Sequence, residues 1–404
     1  MINTISGVSS LFIYEYNHKK YYFFGDYHGT RKGNCAEQGL QCDAFNYNFS
    51  ATTNANTKCT TLGALFYNWF AYNNKNNIKT DFYLEEYYTK ENERVDDLEY
   101  INIIKNRSTK NTRQGSPFKD KSWMQLLPYI MAPCFIRDKL NCPFYPNVHL
   151  HYIDVRSILT SKGLVNISPF SIEKILIHLI EHQPTTVEEL IILREEVLGL
   201  IYFLIKNARE LLNYLLFNDL GNYKALLLSS NSIFVLEIID HIFAFVNHEG
   251  IFKVAYELHR LKTDIYQLLI NYIDIMIDKV LLKIRIYEQS IAEGIKRYNI
   301  MKKRNVLHTR GLRRGYEDLL VIVNGYDLQL IDLDSILMDV YTLSRMFVQD
   351  GDEIIVFAGV YHINIYKDFF NLFTSPLLSI PYKNGINCLT HEDISIYINL
   401  NQFK

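Results

Sequence analysis

The stretch YYFFGDYHGT, residues 21–30, starts as an aromatic run and turns polar at the motif GDYH. Near the other end of the chain, IIVFAGVYHI, residues 354–363, repeats this design and carries the motif GVYH at the same place. Short apolar runs of this kind are typical of strands that are buried on both faces of a largely parallel sheet. The two stretches therefore predict two buried strands, each followed closely by a histidine, His28 or His362.

Two further apolar runs, DFYLEE at 81–86 and HLHYID at 149–154, also lead into polar side chains. In open α/β sheets, ligands bind in the crevice outside the carboxyl ends of the strands. The four runs are therefore expected to bring two imidazoles, a carboxylate and an arginine to one place, namely His28, Glu85 or Glu86, Asp154 with Arg156, and His362. Asp26, Tyr27 and Tyr361 accompany them within the two motifs.

Two local rules refine this expectation. Neighbouring side chains on a strand point to opposite faces, so at most one of Glu85 and Glu86 belongs to the site. A glycine at a strand end permits a sharp exit and a close backbone approach, which gives Gly25 and Gly359 a physical reason to stand before the histidines.

The chemistry of this set allows two interpretations. His28, Glu85 and His362 would suit Zn²⁺ or Mn²⁺ with open positions for water, and such a metal activates water and polarises a carbonyl. Without a metal, the same residues would act as general base and orienting acid, with Arg156 as the cationic partner of an oxyanion. The sequence leaves both interpretations open.

The rest of the chain divides by its hydrophobic periodicity. LFIYEY and KYYFFGD flank the turn NHKK and predict a strand pair, TLGALFYNWFAYNN at 61–74 predicts a helix, and NVHLHYIDVRS at 147–157 a strand. HTRGLRRGYED at 308–318 is interpreted as a basic turn, LLVIVNG at 319–325 as a strand, and DSILMDVYTLSRMFVQ at 334–349 as a helix.

Between about residues 170 and 305 the apolar spacing becomes helical, and Thr186 to Glu189 resemble a capping box. The predicted fold is α/β, with a central, mostly parallel sheet flanked by helices and a large all-helical insert. We place the first part of the core at 1–165, the insert at 166–310 and the second part of the core at 311–404.

Composition narrows the function classes. The chain has 404 residues, 48% of them apolar, and a formal net charge of −2. This charge argues against nucleic-acid binding, and so does the lack of interleaved aromatics in the two basic segments, 105–121 and 309–315. We expect no signal peptide and no membrane span, because no basic region precedes a long apolar core and the longest apolar runs are too short. Six cysteines without a CxxC motif favour an intracellular, cytoplasmic location. Cys35, Cys42 and Cys59 lie in a polar, Asn-rich stretch where buried structural cysteines would be unusual, and reduced thiols are favoured over a disulfide there. Thirty Tyr and 24 Phe, with abundant Ile, Asn and Lys, are residues of A/T-rich codons and indicate an A/T-rich genome, such as that of a large DNA virus or a protist. For a viral origin we expect packaging in a virus particle.

The order of these motifs resembles a superfamily: the TIKI/TraB proteases, the ChaN-like haem-binding lipoproteins and the erythromycin esterases. GDYH and GVYH resemble its paired GxxH motifs, FYLEE its strand ending in Glu, which favours Glu85, and YIDVR the segment that carries its Arg. The resemblance covers residues 20–160 and 315–370, and Asp26 stands where many members have Glu. It implies a sheet between helices and hydrolysis of amide or ester bonds, with or without a metal, at His28, Glu85, Arg156 and His362.

Two alternatives compete with a hydrolase of this type. GDYHG at 25–29 also fits the opening motif of calcineurin-like metallophosphatases, and VNHEG at 246–250 faintly echoes a second motif, although a bridging carboxylate motif is missing. A catalytically inactive structural or interaction protein would instead use the helical insert and its many tyrosines to bind a protein partner. In either hydrolase interpretation the substrate itself is not specified by the sequence.

Overall fold

The computed structural model describes most strands of the chain and a large part of its helices. Two compact units are present, one made of residues 1–154 and 348–404, the other of residues 155–347. The predicted domain limits after residues 165 and 310 stay predictions, because they fall in or beside segments outside the described part. The described residues are 4–27, 59–87, 141–142, 145–154, 183–206, 208–217, 249–303, 309–382, 388–391 and 394–398.

The first unit contains all ten strands that the structure describes and three helices. Numbered along the chain, its elements are β1 (Thr4–Ser6), β2 (Ser10–Tyr16), β3 (Lys19–Asp26), β4 (Cys59–Thr61), α1 (Leu62–Lys75), β5 (Thr80–Tyr87), β6 (Asn141–Cys142), β7 (Tyr145–Asp154), β8 (Glu353–Gly359), α7 (Val360–Phe370), β9 (Leu378–Ile380), β10 (Cys388–Thr390) and α8 (Ile394–Tyr397).

Seven of these strands form the main sheet, in the order β6-β7-β5-β8-β3-β2-β9. Its four central strands, β7, β5, β8 and β3, are mutually parallel, and antiparallel strands complete both edges. A second, three-stranded sheet has the order β10-β1-β4. The predicted α/β class with a mostly parallel sheet is confirmed.

The hairpin β2–β3 shows how local sequence sets the register. Its two turn residues, Asn17 and His18, have φ values of 51° and 62°. Positive φ at both central positions matches the right-handed twist of the flanking strands, and Asn is among the residues that tolerate this conformation. Leu11 consequently pairs with Phe24 and Tyr14 with Tyr21. The predicted strand pair is confirmed.

Helices cover the main sheet on both faces. Alternate residues of the central strands, such as Phe24, Phe82 and Phe357, pack with Phe66 and Trp69 of α1 in one buried cluster. The intervening residues face the other way, where Tyr21 and Phe23 contact Phe370 of α7 at ring-centroid distances of 4.8 and 5.0 Å. Burial on both faces explains why these strands read as continuous apolar runs.

Near the amino ends of the parallel strands, a buried carboxylate connects neighbouring strands on the sheet face opposite α1. Asp81 of β5 accepts hydrogen bonds from His151 Nε2 at 2.8 Å and from the N–H of Gly351 at 2.9 Å, and His149 Nδ1 lies 3.4 Å away. Burial would raise the pKa of the Asp81 carboxyl, but the hydrogen bond and charge of His151, the charge of His149 and the Gly351 N–H outweigh it and lower that pKa. The cluster therefore joins β5, β7 and the start of β8 through an ionised group.

On the other face of the sheet, a second carboxylate connects β8 to α1. Glu353, the first residue of β8, accepts hydrogen bonds from Trp69 Nε1 at 2.7 Å and Asn73 Nδ2 at 2.6 Å, both on α1. The hydroxyl of Tyr22 on β3 lies 3.4 Å from its other oxygen. Asp81 and Glu353 together hold the beginning of β8 between its neighbours, which fixes where β8 ends.

Apart from residues 183–186 and 260–262, the described part of the second unit is helical. Its helices are α2 (Val187–Lys206), α3 (Ala208–Phe217), α4 (Glu249–His259), α5 (Thr263–Lys303) and α6 (Thr309–Val348). The capping box at the start of α2 is confirmed, since the N–H of Glu189 donates to Thr186 Oγ1 at 3.1 Å and the N–H of Thr186 donates to Glu189 Oε2 at 3.2 Å. None of the described helices combines the length and the apolar character needed to cross a membrane.

Two sequence interpretations within α6 are wrong. The basic segment from Thr309 to 318 is helical rather than a turn, and LLVIVNG at 319–325 is helical rather than a strand. Leu319 and Val323 are buried while Val321 is 71% exposed. This is the spacing of a helix with one buried face, which a seven-residue apolar run does not distinguish from a strand.

Reduced thiols are predicted for Cys35, Cys42 and Cys59, whereas Cys388 of β10 is disulfide-bonded. Of the cysteines considered from sequence, Cys35 and Cys42 lie outside the described residues, and Cys59 begins β4, where its side chain is not described.

The close approach of Gly351 to Asp81 gives a stability prediction. A Cβ at Gly351 would overlap Asp81 Oδ2 and lie 3.0 Å from Asp81 Cγ, so Gly351→Ala must displace the buried carboxylate or break its hydrogen bond. We expect a loss of about 1–3 kcal/mol, the cost of disturbing a buried polar group. Thermal unfolding followed by circular dichroism would measure it, at about 2–4 °C per kcal/mol for a unit of this size.

Gly199 provides the matched control. It lies inside α2, and a Cβ there would meet nothing within 4 Å. Gly199→Ala should therefore raise stability by about 0.5–1 kcal/mol through the lower backbone entropy of alanine. Equal effects of the two substitutions would show that the Asp81 cluster does not hold Gly351 as described.

Candidate functional site

The carboxyl ends of the four parallel strands lie side by side at one edge of the main sheet. Asp26 at the end of β3 pairs with Gly359 at the end of β8, and Tyr87 of β5 pairs with Asp154 at the end of β7. Between them, Leu84 of β5 pairs with Phe357 of β8. This carboxyl edge is the part of an open α/β sheet where ligands bind.

At this edge, Glu85 and His362 form a close pair. Glu85 Oε1 lies 3.5 Å from His362 Nε2, and Glu85 Oε2 accepts a hydrogen bond from the N–H of Gly359 at 2.6 Å. The Glu85 and His362 side chains are only 9% and 7% exposed. A carboxylate and an imidazole from opposite ends of the chain are thus held together in a nearly closed environment.

The start of α7 explains why these residues meet. Gly359 is both the last residue of β8 and the N-cap of α7, and it has no side chain to accept a hydrogen bond from the first turn. The first N–H groups of a helix lack intrahelical partners and carry partial positive charge. Glu85, one residue beyond the last paired position of β5 with β8, supplies a carboxylate there. His362 lies in the same first turn of α7.

The motif GVYH is therefore a junction between a strand and a helix. The strand ends at Gly359, and Val360, Tyr361 and His362 already belong to α7. The corresponding histidine of GDYH, His28, lies outside the described residues, as does Arg156. Glu86 is in β5, but its side chain is not described.

The two predicted aspartates are buried but lie on different strands. Asp26 is 1% exposed and Asp154 is 5% exposed. They end β3 and β7, which are separated by β8 and β5. Three strand spacings amount to about 14 Å, so the two carboxylates do not lie together.

The two predicted tyrosines lie at the same edge and are more exposed. Tyr27 and Tyr361 are each 40% exposed. The Tyr27 ring stacks on Tyr382 with centroids 5.4 Å apart and planes inclined by 24°. The Tyr361 ring stands edge-on to the His362 imidazole at 5.5 Å and 86°.

The donors at the carboxyl edge fit a metal only in part. Among the described residues, no group of three or more His, Cys, Asp or Glu side chains could hold a metal ion. Glu85 and His362 supply two donors, and the 3.5 Å between Oε1 and Nε2 is longer than a good hydrogen bond. Two ligands of a tetrahedral Zn²⁺, with bonds of about 2.0–2.1 Å, would lie about 3.4 Å apart. The spacing of Glu85 Oε1 and His362 Nε2 therefore fits two ligands of such an ion, and at least one more protein ligand would be needed.

Sequence reasoning overlooked three kinds of residues. Tyr382 follows the short strand β9 and carries no pattern that marks it. Asp81 and His151 were not singled out, although a polar residue within each of two apolar strands signals a buried pair. Glu353 was not singled out either, although it accepts hydrogen bonds from Trp69 and Asn73 of α1. Of these, only Tyr382 lies at the carboxyl edge.

Comparison with protein families, with curated proteins and with solved structures finds no match to this chain. The superfamily suggested by the GxxH motifs therefore stays a prediction. The second metallophosphatase motif falls at 246–250, where Glu249 and Gly250 begin α4 and the preceding residues lie outside the described part.

The packing of Gly25 beside the site gives a prediction. A Cβ at Gly25 would overlap Ser10 Oγ and lie 3.4 Å from Val360 Cα, at the start of α7. Gly25→Ala should therefore destabilise the protein by about 1 kcal/mol or more, because the Ser10 hydroxyl or the start of α7 must move.

Ser10→Ala tests the cause. The alanine would remove the overlap with Ser10 Oγ and leave contacts of 3.5 Å with the Cβ of residue 10 and 3.4 Å with Val360 Cα. The double variant Gly25→Ala/Ser10→Ala should recover at least half of the loss, and the coupling can be measured as a double-mutant cycle by urea unfolding. Strictly additive effects would contradict the packing described here.

Proposed function

We propose that the protein is a hydrolase that cleaves a peptide or ester bond at the carboxyl edge of the main sheet, similar in type to the TIKI/TraB and erythromycin esterase-like proteins. The observation that supports this most strongly is the Glu85–His362 pair, buried at the edge where parallel sheets bind ligands. Glu85 is further fixed by the Gly359 N–H at 2.6 Å. A preorganised carboxylate–imidazole pair is the arrangement that general-base catalysis requires.

In this proposal, Glu85 orients and His362 transfers protons. Glu85 faces Nε2, holds the imidazole in one orientation and stabilises the positive charge that the ring acquires when it removes a proton from water. The water oxygen then adds to the substrate carbonyl carbon. The proton passes from the imidazole to the leaving nitrogen or oxygen as the bond to the carbonyl carbon breaks. Arg156 is proposed to stabilise the oxyanion.

A divalent metal, Zn²⁺ or Mn²⁺, is the second form of the same proposal. His28, Glu85 and His362 would hold it, and the spacing between Glu85 Oε1 and His362 Nε2 supports this choice. When bound, such an ion lowers the pKa of water and polarises the carbonyl. The Gly359 N–H donates a hydrogen bond to the other Glu85 oxygen. It would not contact the metal itself but would orient the Glu85 carboxylate as a metal ligand.

The alternative function is that of an inactive structural or interaction protein. The low exposure of Glu85 and His362 supports this alternative, because a buried polar pair also serves simply to attach α7 to β5. The helical unit would then supply the surface for a protein partner. Under this alternative we place the protein in a virus particle, and the disulfide at Cys388 agrees better with an oxidising environment, such as a virion surface, than with the cytoplasm. As a hydrolase we place it inside the cell.

His362 and His151 allow a matched test of these alternatives. Both are buried imidazoles paired with a carboxylate of β5, His362 with Glu85 and His151 with Asp81. We expect His362→Gln and Glu85→Gln to lower turnover by about 10²-fold or more, since they remove a general base or its orienting group. His28→Ala should have the same effect, because His28 is proposed as a metal ligand or, without a metal, as a further base. His151→Gln should instead lower the melting temperature and leave the activity of the folded protein unchanged, because it loosens a structural pair far from the edge.

The assay is hydrolysis of a panel of peptides and esters, each with and without added Zn²⁺ or Mn²⁺, alongside the melting temperature of every variant. If added metal raises the activity of the wild type but not that of His362→Gln, the metal-dependent form of the proposal is supported. Full activity in His362→Gln would refute the mechanism. Loss of stability in all variants, with no hydrolysis by the wild type, would favour the structural alternative.

A further inference from the structure

Positive charge is concentrated where α5 ends and α6 begins. The last eight residues of α5, 296–303, contain four Lys or Arg residues, and the first six of α6, 309–314, contain three. Neither stretch contains Asp or Glu, although the whole chain has a net charge of −2. We call these two stretches together the basic tip. Its cations are Lys296, Arg297, Lys302, Lys303, Arg310, Arg313 and Arg314.

The two stretches lie at the same end of an antiparallel helix pair. Lys283 Nζ of α5 is 3.0 Å from Asp332 Oδ2 of α6, so the two helices are neighbours. Lys283 stands 20 residues before the end of α5, and Asp332 stands 23 residues after the start of α6. At 1.5 Å per residue, both helix ends are therefore about 30–35 Å from this contact. Because a linker of only five residues, 304–308, joins the two ends, they must lie on the same side of it.

Helix energetics do not explain the basic tip. The free N–H groups at a helix N-terminus carry partial positive charge, so acidic residues are favourable there and cations are not. The first turn of α6 contains no acidic residue, and its first six residues include three arginines. The cations at the end of α5 suit the helix dipole, but they are placed next to those of α6 and repel them. An anionic partner outside the chain would remove both costs.

The acidic residues closest to the tip balance only part of its charge. Arg313 Nε donates to Glu317 Oε1 at 2.9 Å, but the two side chains are 86% and 57% exposed, so this ion pair is weak. Arg314 is also exposed and makes no ion pair within the part of the chain that the structure describes. Glu293 lies about one turn before the cations of α5. If Glu293 and Glu317 each balanced one cation, five positive charges would remain.

Apolar residues among the cations favour a lipid surface over a nucleic acid. Ile300 and Met301 stand between the two pairs of cations in α5, and Leu312 stands among the arginines of α6. Helical segments that combine Lys and Arg with apolar residues bind in the headgroup region of anionic membranes. Single-stranded nucleic acids need several aromatic rings for stacking. The tip contains one tyrosine, Tyr298, and the next one along α6, Tyr316, is only 8% exposed.

We propose that the basic tip binds the headgroups of an anionic phospholipid membrane and holds the protein at the membrane surface. This role is separate from the proposed hydrolase function and does not depend on it. Each Lys or Arg near an anionic lipid surface raises the affinity by about fivefold. Salt screens this attraction, so binding should weaken as the ionic strength rises.

Vesicle flotation with the full chain tests the proposal. Vesicles of phosphatidylcholine with about 30% phosphatidylserine are compared with vesicles of phosphatidylcholine alone, at about 0.1 M and about 0.5 M NaCl. We expect binding to the anionic vesicles only, and weaker binding at the higher salt concentration. The triple variant Arg310→Gln/Arg313→Gln/Arg314→Gln should lower the affinity on the order of 100-fold. It should also raise the melting temperature, because it removes cations from a helix N-terminus.

A second triple variant provides the matched control. Lys262→Gln/Lys279→Gln/Arg285→Gln removes the same charge from exposed residues outside the basic tip. We expect it to change vesicle affinity by less than about 3-fold, because these residues lie more than a Debye length from the tip. Equal losses in the two triple variants would overturn the proposal, since they would show a response to net charge alone.

Three further results would also overturn it. The first is equal binding of the wild type to both kinds of vesicle, and the second is no binding to either. The third concerns a DNA duplex of about 20 base pairs, measured by fluorescence anisotropy at the same salt concentrations. If the duplex binds more tightly than the anionic vesicles and the tip variant loses this binding, the basic tip is a nucleic-acid site instead. None of these measurements uses hydrolysis, so the outcome does not depend on whether the protein is an enzyme.

Discussion

The structure depends on the insertion of β8 between β3 and β5, two strands from the opposite end of the chain. Parallel pairing on both sides fixes the level at which β8 ends, and Asp81 and Glu353 fasten its beginning to β5, β7 and α1. Once that register is set, the N–H of Gly359 reaches the Glu85 carboxylate and the first turn of α7 carries His362 to the same point. A shift by one residue would turn every side chain of β8 to the wrong face.

Strand β5 carries two carboxylate–imidazole pairs with different consequences. Asp81 and Glu85 are four residues apart in β5, whose pairing with β7 shifts register between Leu84 and Tyr87. Asp81 is fully buried at the amino edge, where it pairs with His151. Glu85 lies at the carboxyl edge, where helix and strand termini converge and tyrosines reach solvent. The first pair therefore stabilises the sheet, whereas the second has the position that a catalytic pair needs. Both pairs consist of a carboxylate and an imidazole, so only their positions along β5 distinguish the structural pair from the candidate catalytic pair.

Much of the fold follows from patterns that act over short distances. The Asn17–His18 turn, the strands at 80–87 and 145–154, the helix at 62–75 and the capping box at Thr186 are all predictable, because turn chemistry, apolar runs and caps are local. Strand ends predicted His362 and one of Glu85 and Glu86 as candidate site residues, and the resemblance favoured Glu85, but the contact between Glu85 and His362 comes from long-range pairing that no local pattern encodes. The helix at 319–325 was missed because a short apolar run fits both a strand and a buried helix. Tyr382 was missed because its role comes only from the direction of β9.

The most direct test of the candidate site is an experimental crystal structure of the full chain that locates His28. Asp26, two residues earlier, already pairs with Gly359 at the carboxyl edge. If one strand-end crevice unites both GxxH motifs, the His28 and His362 imidazoles should lie within about 10 Å of each other, with Glu85 between or beside them. A His28 imidazole that points away from this edge, with Glu85 and His362 still paired, would contradict the site proposed here.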